Sequence, residues 1–80
     1  MQPEQQIIGI IARTFSVDAS TLHSKSRQGD LKAWDSLGQL RLIMQLEAEF
    51  GISFPIDEIP ELTSVEAIAA SIRIKTGLIQ

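Results

Sequence analysis

Residues 34–54 read WDSLGQLRLIMQLEAEFGISF, and this stretch predicts one uninterrupted helix that opens at Asp35 and stops at Gly51. Asp35 is a favourable N-cap because its carboxylate can accept hydrogen bonds from the first free N–H groups of a helix. Ser36 then falls in the first turn, where those N–H groups and the positive end of the helix dipole favour an attached or bound phosphate. Gly51 ends the helix because glycine adopts the left-handed C′ conformation at low cost.

Apolar residues cover two faces of this helix. At about 100° per residue, one broad face contains Leu42, Ile43, Leu46 and Phe50. A second face starts beside Ser36 and contains Leu37, Leu40 and Met44, with Glu47 between the two faces. One face is enough to pack against the rest of the chain. The second face is therefore either buried in a small bundle or exposed as a docking strip for partner proteins.

The chain of 80 residues is long enough for one small domain, which we place at 1–80. It has no cysteine, which excludes a thiol nucleophile, a disulfide framework and a cysteine-based metal site. His23 is the only histidine and has no neighbours at ligand spacing, so we expect no metal site. No stretch is long enough to span a membrane and residues 1–4 do not begin a signal peptide, so we expect a cytoplasmic, monomeric protein without a membrane partner.

The net charge of −3 is concentrated in the middle of the chain. Residues 35–62 contain six carboxylates and a single base, Arg41, whereas the segments on either side each have an excess of one base. This distribution argues against nucleic acid, which requires a basic face. It fits partner proteins with basic surfaces, whose approach it would accelerate.

The chain before this helix predicts one helix and a long connection. The first helix begins near Pro3, and Gly9 in its interior indicates close packing. Its apolar face contains Ile7, Ile8, Ile10, Ile11 and Phe15. The polar residues 24–30 within the connection are predicted to be mobile.

The chain after Gly51 predicts an extended connector, a short helical turn at 57–59 ended by Pro60, and a last helix. Ile52, Phe54 and Ile56 of the connector are predicted to close the core. Thr63 and Glu66 form a capping box, and Gly77 is the predicted end of the last helix. The last helix is predicted to bury Val65, Ile68, Ala69, Ile72 and either Leu78 or Ile79.

On these features the chain resembles the acyl carrier proteins. The resemblance rests on WDSLG at 34–38, FGI at 50–52 and TSV at 63–65, together with Leu42, Leu46 and Glu47. Asp-Ser-Leu alone is a weak signal, but its position at the start of a helix with spaced apolar residues makes it specific. The resemblance covers nearly the whole chain and implies an all-α, up-and-down four-helix bundle with a long first loop and a short third helix.

The resemblance also implies a cofactor. Ser36 would carry 4′-phosphopantetheine in phosphodiester linkage, supplied from coenzyme A by a phosphopantetheinyl transferase, with Asp35 helping to hold magnesium during the transfer. The terminal thiol of this arm would hold acyl or aminoacyl groups as thioesters. No base is placed beside Ser36 as a hydrolase would require, so we expect a carrier and not an enzyme.

Two groups of side chains receive roles from the resemblance. Partner docking is implied for Leu37, Leu40, Arg41, Met44 and Glu47. Shelter for an acyl chain is implied for the core residues Leu42, Ile43, Leu46, Phe50 and Phe54. Fatty-acid carrier proteins usually have acids where this chain has Gly38, Arg41 and Ala48, which favours a dedicated pathway such as polyketide, lipid-modification or aminoacyl assembly.

We therefore predict a stand-alone acyl carrier protein that serves acyl-loading and chain-processing enzymes of fatty-acid, polyketide or related biosynthesis. The acidic bias and the start at Met1 favour it over a peptidyl or aminoacyl carrier of a synthetase pathway. A different class of function is a cofactor-free helical adaptor that binds partners through Leu37, Leu40 and Met44. A hydrolase using Ser36 is the weakest alternative.

Overall fold

The computed structural model describes residues 3–77 and contains three α-helices joined by irregular segments and two 3-10 turns. The helices are α1 (Pro3–Phe15), α2 (Ser36–Phe50) and α3 (Val65–Thr76), and the 3-10 turns are Ala19–Thr21 and Ile59–Glu61. The predicted all-α class is confirmed. The short third helix is present only as the second 3-10 turn. No helix within the described range is long and apolar enough to cross a membrane.

The core lies where α1 packs against both α2 and α3. Its largest fully buried side chains are Ile7, Ile11, Trp34, Leu42, Leu46, Val65, Ile68 and Ile72. Phe15 at the end of α1 stacks on Trp34 with ring centroids 6.0 Å apart. The expectation that Gly9 marks close packing is wrong, because a Cβ there would have no heavy atom within 4 Å.

The ends of α2 are those that the sequence predicts. Asp35 is the N-cap, and its Oδ1 accepts a 2.8 Å hydrogen bond from the backbone N–H of Gly38. Gly51 follows the helix in the left-handed conformation, with a φ of 64°. The broad apolar face is buried at Leu42, Ile43 and Leu46 but only partly at Phe50, which packs at the edge of the core.

The start of α3 differs from the prediction by one residue. Ser64, and not Thr63, is the N-cap, because the Ser64 hydroxyl accepts the hydrogen bond from Ala67 N at 3.1 Å. Gly77 ends the helix as predicted, with a φ of 76°. The predicted inward residues Val65, Ile68, Ala69 and Ile72 are buried, whereas Leu78 and Ile79 lie outside the described residues.

The polar segment 24–30 is held in place rather than mobile. The N–H of Gln28 donates to the carbonyl of Thr63 at 2.7 Å, and the N–H of Val65 donates to the carbonyl of Ser26 at 2.9 Å. The N–H of Glu66 donates to the carbonyl of Ser24 at 3.0 Å. These backbone bonds fix the first loop against the start of α3, so the loop becomes one wall of the region around Ser36.

The connector after α2 is anchored by polar contacts at both ends. Glu47 Oε2 accepts a 2.8 Å hydrogen bond from the N–H of Phe54, which is buried as predicted. Ile56 does not close the core, since 85% of its surface is exposed. Pro60 lies inside the 3-10 turn and does not end it. Proline lacks a backbone N–H, but in the first turn of a helix that group would have no partner within the helix.

A second anchor joins the connector to α3. Glu58 accepts hydrogen bonds from Lys75 Nζ at 2.7 Å and from the Ser71 hydroxyl at 2.6 Å. These two donors, the lysine first, lower the pKa of the Glu58 carboxyl. The lysine ammonium also lies 5.2 Å from the centroid of the Phe54 ring. The contacts hold the connector against the C-terminal half of α3.

Candidate functional site

Ser36 is the first residue of α2 and is exposed to solvent. Asp35 fixes the start of the helix by capping Gly38, so the serine hydroxyl is held at the positive end of a 15-residue helix. A phosphate attached to this hydroxyl would lie in a favourable field. The local geometry that the sequence predicts for Ser36 and Asp35 is therefore present.

Gly38 is required by the approach of the preceding loop. A Cβ at this position would overlap the backbone oxygen of Ala33 and lie 3.1 Å from the Phe15 ring. Any side chain would force the loop away from the first turn of α2. The family resemblance connects the absence of an acid at position 38 with a dedicated pathway, but this glycine has a packing cause in this chain.

A buried polar network underlies the first turn of α2, and sequence reasoning missed it. Gln39 is 5% exposed, and its Oε1 accepts a 2.7 Å hydrogen bond from the indole Nε1 of Trp34. Its Nε2 donates to the carbonyl of Leu62 and, at 3.5 Å, to that of Ile59. One amide thereby joins three walls of the site: the first loop, α2 and the second 3-10 turn. A glutamine three residues after Ser36, in line with a buried apolar face, is the signal that could have revealed it.

A surface cleft of about 690 Å³ lies beside Ser36. The first loop, the start of α2 and the second 3-10 turn form its walls. Its exposed apolar surface comes from Leu31, Leu40, Ile59 and Pro60, and the fully buried Trp34 is also among the residues that line it. Arg27 and Lys32 bring two cations to the wall formed by the first loop. A volume of this size is in the range of small-ligand sites.

The second apolar face of α2 is exposed. The exposed fraction is 74% for Leu37, 50% for Leu40 and 68% for Met44. The alternative that buries these side chains in the bundle is therefore wrong. The three residues form a strip along α2 that starts next to Ser36, and we refer to Leu37, Leu40 and Met44 as the apolar strip.

The charged residues of α2 are directed to contacts within the fold. Arg41 Nη2 donates a 3.1 Å hydrogen bond to the carbonyl of Thr14, and its guanidinium carbon lies 6.0 Å from the Phe15 ring centroid. Glu47 accepts from Phe54 N, and Glu49 forms a 3.6 Å ion pair with Arg13. Because Glu47 and Glu49 both have partners within the fold, the helix offers docking proteins fewer unpaired carboxylates than its composition indicates.

The five predicted acyl-sheltering residues all belong to the core or pack against it, and none of them lines the cleft. Leu42, Ile43, Leu46 and Phe54 are buried, and Phe50 is partly buried against them. Leu42 and Ile43 lie one turn beyond Gln39 on the same side of α2. The buried Gln39 amide therefore comes between the first turn of α2 and these core residues along the helix.

Residues 5–72 match the family model described as the phosphopantetheine attachment site. The chain belongs to this phosphopantetheine-binding family. Acyl carrier proteins of Rickettsia canadensis and Rickettsia prowazekii are 37% and 35% identical to it over 71 residues, which cover 88% of this chain and 81% of each relative. The solution structure of the holo acyl carrier protein from Geobacter metallireducens is similar with a TM-score of 0.84 and 28% identity, covering 98% of this chain and 90% of that one.

Membership settles the class of protein. The chain is a carrier of covalently attached phosphopantetheine and not a catalyst. The residues around Ser36 fit such a group: an exposed hydroxyl at a capped helix start would suit an attached phosphate, and the neighbouring cleft would leave room for a flexible arm. Partners of the family include phosphopantetheinyl transferase and biosynthetic enzymes.

Proposed function

We propose that this chain is an acyl carrier protein whose 4′-phosphopantetheine arm is attached to the Ser36 hydroxyl. The observation that carries the proposal is the position of Ser36, which is exposed at the capped N-terminus of α2 and within the matched residues 5–72. The thiol of the arm supplies the thioester chemistry that a chain without cysteine cannot supply itself.

The chain's own residues present the serine and do not activate it. Asp35 caps α2 and thereby fixes the backbone of the first turn, which carries the exposed Ser36. Within residues 3–77 no histidine or carboxylate is hydrogen-bonded to that hydroxyl, and His23 lies on the first loop with its Nδ1 accepting from Lys25 N. Removal of the serine proton is therefore the task of the transferase, with Asp35 assisting the metal as the resemblance implies.

We assign partner docking to the apolar strip and to Arg41 beside it. Leu37, Leu40 and Met44 follow one another at spacings of three and four residues, so a partner that approaches Ser36 meets all three. Exposed leucine and methionine favour binding to several partners, because the methionine side chain is flexible and polarizable. Glu47 is the weakest of the predicted docking residues, because its carboxylate is bonded to Phe54 N.

The acyl type of carrier is favoured over the peptidyl or aminoacyl type. The relatives described above are named acyl carrier proteins. We place the function in a dedicated biosynthetic pathway, because Arg41 and Ala48 depart from the acids usual in fatty-acid carriers. The acyl-loading and chain-processing enzymes of that pathway are the proposed partners, with residues 1–80 acting as one cytoplasmic, monomeric carrier domain.

Incubation with coenzyme A, magnesium and a broad-specificity phosphopantetheinyl transferase tests the proposal. The wild-type chain is expected to gain one arm, and a subsequent acyl-transfer reaction is expected to load its thiol. A cofactor-free adaptor that uses the same strip would remain unmodified under these conditions. An unmodified wild-type chain would therefore contradict the proposed arm at Ser36 and favour the adaptor.

A further inference from the structure

A buried polar contact lies one turn after Ser36 on α2, between that serine and the core residues further along the helix. Gln39 lies one turn after Ser36 on α2, and Leu42 and Ile43 lie one further turn along the same side. The Gln39 amide is buried and bonded to Trp34 on one side and to the carbonyl of Leu62 on the other. No buried side-chain nitrogen or oxygen within residues 3–77 lacks a partner, so this contact is fully satisfied.

An apolar chain that entered the core beside Gln39 would have to part these bonds. The Trp34 N–H and the Leu62 carbonyl would then be buried without partners, which is costly in a low-dielectric interior. A long acyl chain gains from burial in proportion to its length, but a short one gains too little to offset this cost. Short cargo is therefore better accommodated in the surface cleft than in the core.

The cleft differs from the core in its charge. Arg27 and Lys32 line its outer wall, and neither forms an ion pair with another side chain in the part of the chain that the structure describes. Asp35 is the one carboxylate among the lining residues, and its Oδ1 is already bonded to Gly38 N. Lys25, on the same loop but outside the cleft, is paired with Glu66 at 3.8 Å. The cleft thus offers two cations beside an apolar floor.

We propose that the cleft beside Ser36 holds the end of the arm together with a short acyl group that carries a free carboxylate, and that Arg27 and Lys32 bind this carboxylate. Gln39 directs such cargo outward by keeping the core closed. This inference rests on the proposed function, since it requires the arm at Ser36. It contrasts with the acyl-sheltering role that the family resemblance implies for Leu42, Ile43, Leu46, Phe50 and Phe54.

The test uses four forms of the chain prepared with a broad-specificity transferase: the plain arm, and arms with amide-linked butyryl, succinyl or octanoyl groups. Butyryl and succinyl have the same number of carbons and differ by the terminal carboxylate. The melting temperature and the fluorescence of Trp34, which is the only tryptophan and lines the cleft, are measured for each form. We expect the succinyl form to melt about 2–4 °C above the butyryl form at low salt and to change the Trp34 emission.

Two variants and one control assign this difference to the cleft. Arg27→Gln and Lys32→Gln are each expected to reduce the succinyl effect, whereas Lys25→Gln should leave it intact. High salt should also reduce it. Equal melting of the succinyl and butyryl forms would overturn the inference, and so would a butyryl form that is stabilised over the plain arm as much as the octanoyl form, since short cargo would then enter the core.

Two further outcomes matter. One distinguishes the carboxylate of the cargo from the phosphodiester of the arm, and the other distinguishes this inference from the proposed function. If Arg27 and Lys32 bind the phosphodiester of the arm, the variants will change the plain-arm form as much as the succinyl form, and the assignment to cargo is then wrong. Failure to attach any arm would sink the proposed function and this inference together. If the arm is attached but the succinyl form does not melt above the butyryl form, only this inference is contradicted.

Discussion

The indole Nε1 of Trp34 lies 2.7 Å from Oε1 of Gln39 and donates a buried hydrogen bond to it. This bond joins the residue before Asp35 to the first turn of α2. Through the Gln39 amide it continues to the carbonyl of Leu62, 23 residues further along the chain. The start of α2, where Ser36 is exposed, is therefore held in place by a side chain that is itself buried.

Replacement of this amide is expected to destabilise the fold. Gln39→Leu has a similar size but leaves the Trp34 N–H and the Leu62 carbonyl buried without partners, so we expect the free energy of unfolding to fall by about 2 kcal/mol. Urea denaturation followed by Trp34 fluorescence measures this. Gln45→Leu, at an exposed position of the same helix, is the control and should change stability by less than about 0.5 kcal/mol. Equal stability of the two variants would contradict the buried network.

Two glycines in helices are expected to respond in opposite directions to substitution by alanine. Gly38→Ala places a Cβ against the Ala33 carbonyl oxygen, so we expect a clear loss in melting temperature. Gly9→Ala meets open space within α1 and should raise stability by about 0.5–1 kcal/mol. Thermal melts of both variants provide the comparison. Stabilisation by Gly38→Ala would show that the loop does not approach α2 as described.

The apolar strip gives a prediction about rate rather than stability. Met44→Ala should leave the melting temperature nearly unchanged, because the side chain is 68% exposed, but should slow arm transfer several-fold if partners dock there. Ile74→Ala is a matched control, since Ile74 is also 68% exposed but lies on α3. It should change neither quantity. Marked destabilisation by Met44→Ala with normal transfer would argue against docking on this strip.

The Glu58 contacts predict a pH-dependent contribution to stability. Because Lys75 and Ser71 lower the pKa of Glu58 below its usual 4.5, the unfolded state binds its proton more readily than the folded state. The stabilisation is therefore present above pH 4.5 and is lost as the pH falls through the lowered pKa.

Melting temperatures measured across the acidic range test this contribution. The wild type should melt above Glu58→Gln at neutral pH, and the difference should shrink as the solution becomes strongly acidic. Glu61→Gln, at an exposed carboxylate nearby, should match the wild type at neutral pH. A difference that grows on acidification would have the wrong sign.

The sequence predicted α2 well because its signals are local. Asp35, Gly51 and the apolar periodicity each act within a few residues, and together they predicted the helix bounds, the first-turn position of Ser36 and the two apolar faces. The choice between burial and exposure of Leu37, Leu40 and Met44 remained open, because periodicity alone does not state which face meets the core.

The features that the sequence did not predict depend on distant contacts. The loop 24–30 is held by backbone groups of Thr63, Val65 and Glu66, and backbone hydrogen bonds leave no trace in side-chain composition. The contact between Gly38 and Ala33 depends on the path of that loop. Ser64 and Thr63 are both suitable caps, and only the backbone conformation decides between them. The cleft, which these segments enclose together, could not be inferred before the loop was placed.

The assignment of the arm to Ser36 is the central claim, and one measurement tests it directly. The wild type, Ser36→Ala and Ser53→Ala are each incubated with coenzyme A, magnesium and a broad-specificity transferase, and their intact masses and proteolytic peptides are measured. Ser53 is an exposed serine in the connector and serves as the control. We predict one arm on the wild type and on Ser53→Ala, located on the peptide that contains Ser36, and none on a normally folded Ser36→Ala. An arm on Ser36→Ala would contradict the account.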